Sequence, residues 1–474
     1  MRLITGDECG LLKEVVPEIG RQKDHDADDP NTPVKPYHMD LATKVTKIGS
    51  RRIAPTEEQT RERGVVDLAW LNMDEREDGL DGNEGHCGFE FAALRRNGSV
   101  QLWSASSDDP QRHGRYQMDF STANVFSAAW EGKNGDRTCR PLGMGCIPRS
   151  QRLCVGDTAG NIAVVDNGRK KGEVVHTYHA YENTKRGKKI TYTPGSFENT
   201  QLATTMAVHP IQGRVAIGGR ERETSLIDLG TGQLVWKAKN LPPDPQTLLQ
   251  QPVWPTAICF LGEDSNIMAV GTGYKEVRLY DVRESSKVRR PTAVTPEGLF
   301  EHRVTSLCSL ENHSSNNSKT TDLVVGDAAG FLYQLDLRKL GKDRKVQAHK
   351  DLSRFVGPGG SVRQIKLHPT LPRMAVVGLD RMLRIYDTNT RKQVDCVYLK
   401  QRLNTVLFHG DDDWDLALER QYDESYEDDD ANVIDQDDVV QDYVDSDDDD
   451  GEEMKQNENV SDNDDDKEEM EQNE

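Results

Sequence analysis

The sequence lacks a run of about 18 apolar residues, the length that a membrane-spanning helix needs. It also lacks Cys-x-x-Cys pairs and an amino-terminal positive charge followed by an apolar stretch, so it shows no sign of a secretion signal. The eight cysteines are scattered, several of them within strand-like runs such as AICFL and SLCSL. We therefore expect buried, reduced thiols rather than disulfides or a metal site, and no association with membranes.

Signatures of catalysis are also missing. The chain contains no G-x-S-x-G, no H-E-x-x-H and no phosphate-binding loop that ends in Gly-Lys-Ser/Thr. The glycine-rich segment 357–360 precedes a strand pattern rather than a helix, which indicates a turn between repeats. His209 and His368 each stand before a proline at the end of a strand pattern, where we expect them to stabilise turns. These observations predict a protein that is not an enzyme and has no cofactor.

Charge is distributed very unevenly along the chain. Residues 411–474 hold 31 acidic and 3 basic residues, out of totals of 81 and 60, so residues 1–410 hold 50 acidic and 57 basic ones. The overall net charge of −21 therefore hides a mildly basic body with an acidic tail. A segment with so few apolar residues and so much like charge is expected to be disordered.

What the sequence does contain is a pattern that occurs seven times: an apolar run, a glycine, a polar turn, an apolar run and often an aspartate. Two clear copies are VGDTAGNIAVVD (155–166) and VGDAAGFLYQLD (325–336). Five of the glycines stand 52–62 residues apart, a spacing slightly above that of common propeller repeats, namely Gly156, Gly218, Gly271, Gly326 and Gly378. Alternation in IAVVD, VRLYD and LRIYD predicts half-buried strands, and the glycines before the turns fit positions with positive φ.

Each copy is flanked by two further strand patterns, and four strands make one blade of a propeller. The dipeptide that is often Trp-Asp in such blades is here Val-Asp, Ile-Asp, Tyr-Asp or Leu-Asp. We therefore predict an all-β fold, a seven-bladed WD-repeat β-propeller at 1–410, with insertions at about 20–60 and 183–201 and the acidic tail at 411–474.

The two ends of the propeller are predicted to meet. The first copy starts at residue 1 without a strand before it, whereas RLNTVLFH (402–409) follows the last blade as a strand without a partner. We expect the carboxy-terminal strand to complete the amino-terminal blade, because a closed ring has no unpaired sheet edge.

Basic residues fall in the segments that should form loops on one face of the ring. Positive charge held on fixed loops suits a phosphate backbone, although an ordinary solvated surface is the alternative. The candidates from these loops are Arg220, Arg222, Lys237, Lys239, Lys275, Arg289, Arg290, Arg381, Lys400 and Arg402. The KRGKK segment adds Lys185, Arg186, Lys188 and Lys189, which fit RNA contact or nuclear import equally well.

Longer motifs resemble a known family. LVWKAKNLPPD (234–244), PVWPTAICFL (252–261), GTGYKEVRLYDVR with the following RRP, and GSVRQIKLHPTLPRMAVVGLDRMLRIYD are similar to the nucleolar WD-repeat assembly factors of the large ribosomal subunit, the Nsa family. The likeness covers most of the body and is strongest over about 216–408.

The resemblance implies a nuclear, nucleolar protein that works in ribosome biogenesis and rRNA processing. It would act as a monomeric scaffold on large-subunit pre-ribosomal particles, contact other assembly factors and pre-rRNA, and be removed by a hexameric AAA-class ATPase. The matching positions imply a shared partner surface at Trp236, Lys237, Lys239, Asn240 and Trp254, with packing of Trp236 between blades as the alternative. Family members often carry a basic tail, and the acidic tail of this chain departs from that pattern.

Two other functions fit parts of the sequence. Asp281-Val282-Arg283 and Asp336-Leu337-Arg338 resemble the paired Asp-x-Arg motif of substrate receptors in cullin-type ubiquitin ligases. The acidic tail would suit a propeller that binds histones.

Overall fold

Seven four-stranded antiparallel sheets make up the fold. The computed structural model describes residues 3–16, 49–53, 59–71, 90–105, 116–126, 139–167, 172–180, 203–243, 246–262, 265–283, 289–310, 322–340, 352–369 and 371–408. Two short 3-10 helices, Arg61–Arg63 and Leu337–Lys339, are the helices within these ranges. No helix in this part of the chain is long and apolar enough to cross a membrane.

The strands follow one another in the order that the repeats predict. The first eleven are β1 (Leu3–Asp7), β2 (Leu12–Val16), β3 (Gly49–Arg52), β4 (Val65–Trp70), β5 (Glu90–Arg95), β6 (Val100–Ala105), β7 (Tyr116–Ser121), β8 (Pro141–Ile147), β9 (Arg152–Asp157), β10 (Asn161–Asp166) and β11 (Val174–His179). The next eight are β12 (Thr205–Val208), β13 (Arg214–Gly219), β14 (Arg222–Asp228), β15 (Leu234–Lys237), β16 (Pro255–Leu261), β17 (Ile267–Thr272), β18 (Val277–Asp281) and β19 (Ala293–Val294). The last nine are β20 (Val304–Ser309), β21 (Asp322–Asp327), β22 (Leu332–Asp336), β23 (Ser353–Phe355), β24 (Val362–Leu367), β25 (Arg373–Gly378), β26 (Met382–Asp387), β27 (Gln393–Tyr398) and β28 (Leu403–Phe408).

The last strand closes the ring. Blade one has the order β28-β1-β2-β3, and blades two to seven are β4–β7, β8–β11, β12–β15, β16–β19, β20–β23 and β24–β27. In blade one, Leu3 pairs with Phe408 and Gly6 pairs with Thr405. We call the strands of a blade a to d from the centre outwards; each a strand contacts the a strands of both neighbouring blades. The predicted seven-bladed propeller and its mode of closure are confirmed.

Polar bonds at the centre join blade seven to blades one, two and three. The carboxylate of Asp67 in blade two accepts hydrogen bonds from the Met144 backbone N–H in blade three and from Gln364 Nε2 in blade seven, both at 3.0 Å. The amide oxygen of the same side chain, Gln364 Oε1, accepts hydrogen bonds from Thr405 Oγ1 at 2.9 Å and from the Val406 N–H at 2.8 Å, both in blade one. Asp67 and Gln364 thus link blades seven, one, two and three, which lie on both sides of the pairing of β28 with β1.

Apolar side chains fill the spaces between blades. The buried residues form seven clusters, and each cluster lies at one junction between successive blades. Blades therefore pack against each other on both faces, and the b and c strands are buried on both. The four residues 162–165 of β10 are all buried, as are residues 215–219 of β13. The expectation of half-buried inner strands is wrong, because each sheet lies between two others.

The repeated glycines serve close packing rather than positive φ. Gly156, Gly218, Gly271, Gly326 and Gly378 are not among the residues with positive φ. A Cβ on Gly271 would lie 2.4 Å from Val304 Cγ1, on the a strand of the next blade. The equivalent glycines of blades one, three, four and six meet the next a strand in the same way. The predicted reason for these glycines is therefore wrong, although their positions in the repeat are right.

The two histidines stabilise turns as expected. Both are buried at the end of an a strand. His209 Nδ1 accepts hydrogen bonds from the N–H groups of Ile211 and Gln212, and His368 Nδ1 accepts one from Leu371 at 3.0 Å. Burial, and then the nearby Arg214, lower the pKa of His209, so it stays neutral and keeps its acceptor.

Some predicted features lie outside the described residues. These are the acidic tail at 411–474, the insertion at 183–201 and most of the insertion at 20–60. Within the last of these, Gly49–Arg52 forms β3, the outer strand of blade one. The cysteines that the structure describes are free thiols, and burial raises the pKa of Cys154 to about 12.

Closure can be tested by truncation. Deletion of residues 402–474 removes β28 and exposes β1 and the junctions on both sides of blade one, so we expect loss of the cooperative thermal transition in calorimetry. Deletion of residues 411–474 leaves β28 in place and is expected to leave the transition unchanged. A cooperative transition in the longer deletion would contradict closure by β28.

Glycine packing can be tested by one added methyl group. Gly271→Ala should lower the free energy of unfolding by about 1–3 kcal/mol, because the new Cβ overlaps Val304. Gly359→Ala is the control, since nothing lies within 4 Å of its Cβ position, and should change that free energy by less than about 0.5 kcal/mol. The free energies are measured by urea unfolding. Equal losses in the two variants would show that packing against the next blade is not the reason for glycine at position 271.

Candidate binding surface on the upper rim

The connections between blades and the turns between b and c strands lie on one side of the ring, which we call the upper rim. Backbone hydrogen bonds join the two kinds of loop. The N–H of Thr158 in a b–c turn donates to the Arg140 carbonyl just before β8, at 2.8 Å, and Ala328 donates to Arg303 just before β20, at 3.0 Å. The backbones of these turns and of the residues just before the a strands are therefore fixed by hydrogen bonds within their own blades.

At the junction of blades four and five, cations and aromatic rings form one contact group. The Arg220 guanidinium lies 5.5 Å from the centre of the Trp254 ring, and Trp254 meets Tyr274 edge to face at 6.0 Å. Gly273 allows the indole to lie there, because a Cβ would be 2.2 Å from Trp254 Cε3. Together with Lys275, which follows Tyr274, we call these residues the four–five cluster: Arg220, Trp254, Tyr274 and Lys275.

A buried ion pair holds the loop that leads from β15 to β16. Arg278 is bonded to Glu276 at 3.2 Å, and its Nη1 donates to Asn240 Oδ1 at 3.2 Å. Asn240 Nδ2 in turn donates to the Gln251 carbonyl across the loop. In this loop Leu248 and Leu249 are 79% and 69% exposed, which offers an apolar contact on the upper rim.

The structure places most of the predicted residues on this rim. Arg220, Lys237, Lys239, Lys275 and Arg381 are exposed there, Arg222 and Trp254 are half-buried, and Asn240 holds the loop from within. Lys185, Arg186, Lys188 and Lys189 lie outside the described residues.

Two placements differ from the expectation. Trp236 is 3% exposed and packs edge to face on Tyr280 at 5.7 Å, between blades four and five, so its assignment to a partner surface is wrong. Arg289 and Arg290 lie between the c and d strands of blade five rather than in an upper loop. The Arg289 carbonyl nevertheless accepts from the Lys239 N–H at 2.8 Å, which brings this segment to the edge of the surface.

Three of the rim cations occupy strained backbone positions, two of them in b–c turns and the third, Lys400 with φ of +69°, in the connection from blade seven to blade one. Lys275 has φ of +66° and Arg381 has φ of +69°, in b–c turns where four other blades have glycine with positive φ (Gly10, Gly98, Gly160 and Gly330). A side chain in this region costs about 1–2 kcal/mol relative to the right-handed region. Glu221, with φ of +58°, occupies the same turn of blade four, so this backbone position does not select for positive charge.

Blade six adds a stack that the sequence did not reveal. His302 lies parallel to Phe331, with 6.0 Å between ring centres and 4° between planes, and the Arg354 guanidinium lies 5.6 Å from the Phe331 centre. The three residues come from a blade connection, a b–c turn and a d strand, so no local pattern links them. All three are exposed.

The Asp-x-Arg motifs lie on the opposite, lower rim. Arg283 Nη2 lies 2.6 Å from Asp281 Oδ2, and Arg338 Nε lies 3.0 Å from Asp336 Oδ1. The bond from Arg283 lowers the pKa of Asp281. Because each guanidinium is paired within its own motif, this geometry gives no specific support to a ubiquitin-ligase receptor.

Comparisons with known proteins agree with the fold and the motifs. WD repeat-containing protein 74 of Homo sapiens is 35% identical over 203 residues, which are 42% of this chain and 47% of the relative. The chain is a relative of WD-repeat proteins. The mouse protein of the same name is 33% identical over 203 residues, with the same shares. Ribosome biogenesis protein NSA1 of Saccharomyces cerevisiae is 24% identical over 229 residues, 43% of this chain and 46% of that protein.

The resemblance that the sequence suggested is thus confirmed at the level of relatives. The chain matches about half the length of these curated relatives. No protein-family model matches it.

Strain at the rim cations can be measured. Lys275→Gly should raise the free energy of unfolding by up to about 1 kcal/mol, because relief of the left-handed strain exceeds the entropic cost of glycine. Lys237→Gly, in strand β15, should instead lower it by about 0.5–1 kcal/mol. Chemical denaturation of the two variants measures these changes in the free energy of unfolding. Changes of opposite sign would support the strained geometry, whereas a lower free energy of unfolding for Lys275→Gly would refute it.

Proposed function

We propose that this protein is a non-enzymatic scaffold in ribosome biogenesis. It binds large-subunit pre-ribosomal particles in the nucleolus through other assembly factors and pre-rRNA, and an AAA-class ATPase removes it. The similarity to NSA1 proteins, whose name states a role in ribosome biogenesis, supports this function. A closed ring with fixed loops on its rim is suited to docking, because it presents many side chains without loss of loop entropy on binding.

The four–five cluster is the observation that carries the proposal. Trp, Tyr and Arg are the residue types that dominate the energetics of protein interfaces. Here they are held together by cation–π and edge-to-face contacts, with the exposed Leu248 and Leu249 on a loop of the same rim. The same combination of aromatic rings and cations accepts RNA bases and phosphates, so one surface can serve both classes of partner.

Charge reversal on this surface tests the function. The triple variant Arg220→Glu, Lys239→Glu and Lys275→Glu should reduce co-sedimentation with nuclear pre-ribosomes by about tenfold or more, because like charge replaces attraction at the contact. The readout is the distribution of the tagged protein across a sucrose gradient of nuclear extract.

A matched triple variant on the lower rim serves as control. Arg149, Arg152 and Lys392 are exposed there, and their change to Glu should leave sedimentation unaltered. Wild-type protein found only in the light fractions, without pre-ribosomes, would contradict the function itself. Equal co-sedimentation of the two triple variants would contradict only the choice of surface.

A further inference from the structure

The upper rim has a cavity at blades one, two and three that the proposed partner surface does not use, and we call this cavity the mouth. Its volume is about 380 Å³, and blades one, two and three contribute to its lining. The charged side chains that line it are Glu8, Arg61, Glu62, Arg96, Arg140 and Arg402. Arginine therefore dominates a concave site on the upper rim of these three blades.

The repeat itself positions part of this charge. Arg140, Arg303 and Arg402 each stand immediately before an a strand, in blades three, six and one. Their carbonyl groups accept hydrogen bonds from the b–c turns of their own blades, at 2.8–3.1 Å. The three arginines thus occupy equivalent backbone positions in their blades, on an arc from blade six through blade one to blade three, and two of them, Arg140 and Arg402, line the mouth.

Four arginines and two glutamates line the cavity, so the formal charge of its lining is positive. Arg402 lies 3.6 Å from Glu8, a weak and half-exposed pair. Arg363, the second residue of β24 in blade seven, is exposed and adds a further positive charge on the arc between Arg303 and Arg402. Like charges gathered at a concave site focus the field on an incoming anion, and guanidinium groups bind phosphate oxygens through paired hydrogen bonds.

The aromatic stack of blade six lies next to one end of the arc. His302 precedes Arg303 in the chain, and it stacks on Phe331, which is 39% exposed. A strand of RNA whose bases are unpaired offers phosphates to the arginines and bases to the stack. An acidic peptide has carboxylates for the arginines but no planar group for the rings, and a duplex hides its bases.

We propose that this mouth, together with the His302–Phe331 stack, is a binding site for single-stranded RNA. The site is separate from the four–five cluster. It deepens the proposed function by giving the pre-rRNA contact its place and its chemistry, and it rests on that function for the identity of the RNA.

The test uses the purified full-length protein and a fluorescent single-stranded RNA of about 12 nucleotides, within the site sizes of such surfaces. Anisotropy titrations between about 50 and 200 mM salt give the affinity and its salt dependence. Replacement of Arg61, Arg140 and Arg402 by Ala should weaken binding at least tenfold and reduce the salt slope by about 2, since each lost phosphate contact contributes about 0.7.

The stack should behave differently from the arginines. Phe331→Ala should weaken binding about fivefold or more and leave the salt slope unchanged, because stacking releases no counterions. Changing the same three arginines to Lys should retain most of the slope, which separates the loss of charge from any loss of folding. The lower-rim variant Arg149→Ala, Arg152→Ala and Lys392→Ala should bind like wild type.

Competition decides between classes of ligand. An unlabelled single strand should displace the probe, and a duplex RNA or an Asp/Glu-rich peptide of equal length should do so at least tenfold less well. Equal competition by the peptide with no effect of Phe331→Ala would overturn the proposal in favour of a protein ligand. Unchanged RNA affinity in the arginine variant would overturn it as well.

The two proposals fail in different experiments. The titration contains no pre-ribosome, so a lack of RNA binding leaves docking by the four–five cluster standing. Loss of co-sedimentation in the triple variant Arg220→Glu, Lys239→Glu and Lys275→Glu with normal RNA affinity would likewise leave the mouth site standing.

Discussion

The pairing of β28 with β1 is the constraint on which the rest of the structure depends. It joins residues 403–408 to residues 3–7, from opposite ends of the described chain, within one sheet. Without it, blade one would lose its innermost strand, and the apolar clusters at both of its junctions would lose members such as Leu403 and Leu407. The bonds around Asp67 and Gln364 reinforce the same closure from the centre.

Closure matters for function because the upper rim is built from loops. In a closed ring every a strand has neighbours on both sides, so the connections that precede those strands start from fixed points. The Trp254 indole and the arginines around the mouth take their places from these points. Two surfaces of different character result, an aromatic and cationic group at blades four and five and an arginine-lined mouth with a stack at blade six.

Local patterns predicted the fold well because the repeat is local. The recurring glycine and strand runs indicated seven blades, and the partnerless run at 402–409 indicated how they close. The purpose of the glycines could not be predicted, since the clash that excludes a side chain at Gly271 comes from Val304 in the next blade.

The candidate site was less predictable, because its contacts join segments that are distant in the sequence. Trp236 sits beside genuine rim residues in sequence, but strand alternation turns it onto Tyr280 in the core. The stack of His302 on Phe331 joins segments about 30 residues apart in the chain and has no periodic signature.

Native-state hydrogen exchange is the most direct test of the central claim about closure. If β28 closes the ring, the amides of Ile4 and Leu407, which face each other across the β1–β28 pair, should exchange only through global unfolding, with the same free energy as those of Val215 and Ile217 in blade four. Exchange of the β1–β28 pair through a separate opening of much lower free energy would contradict it.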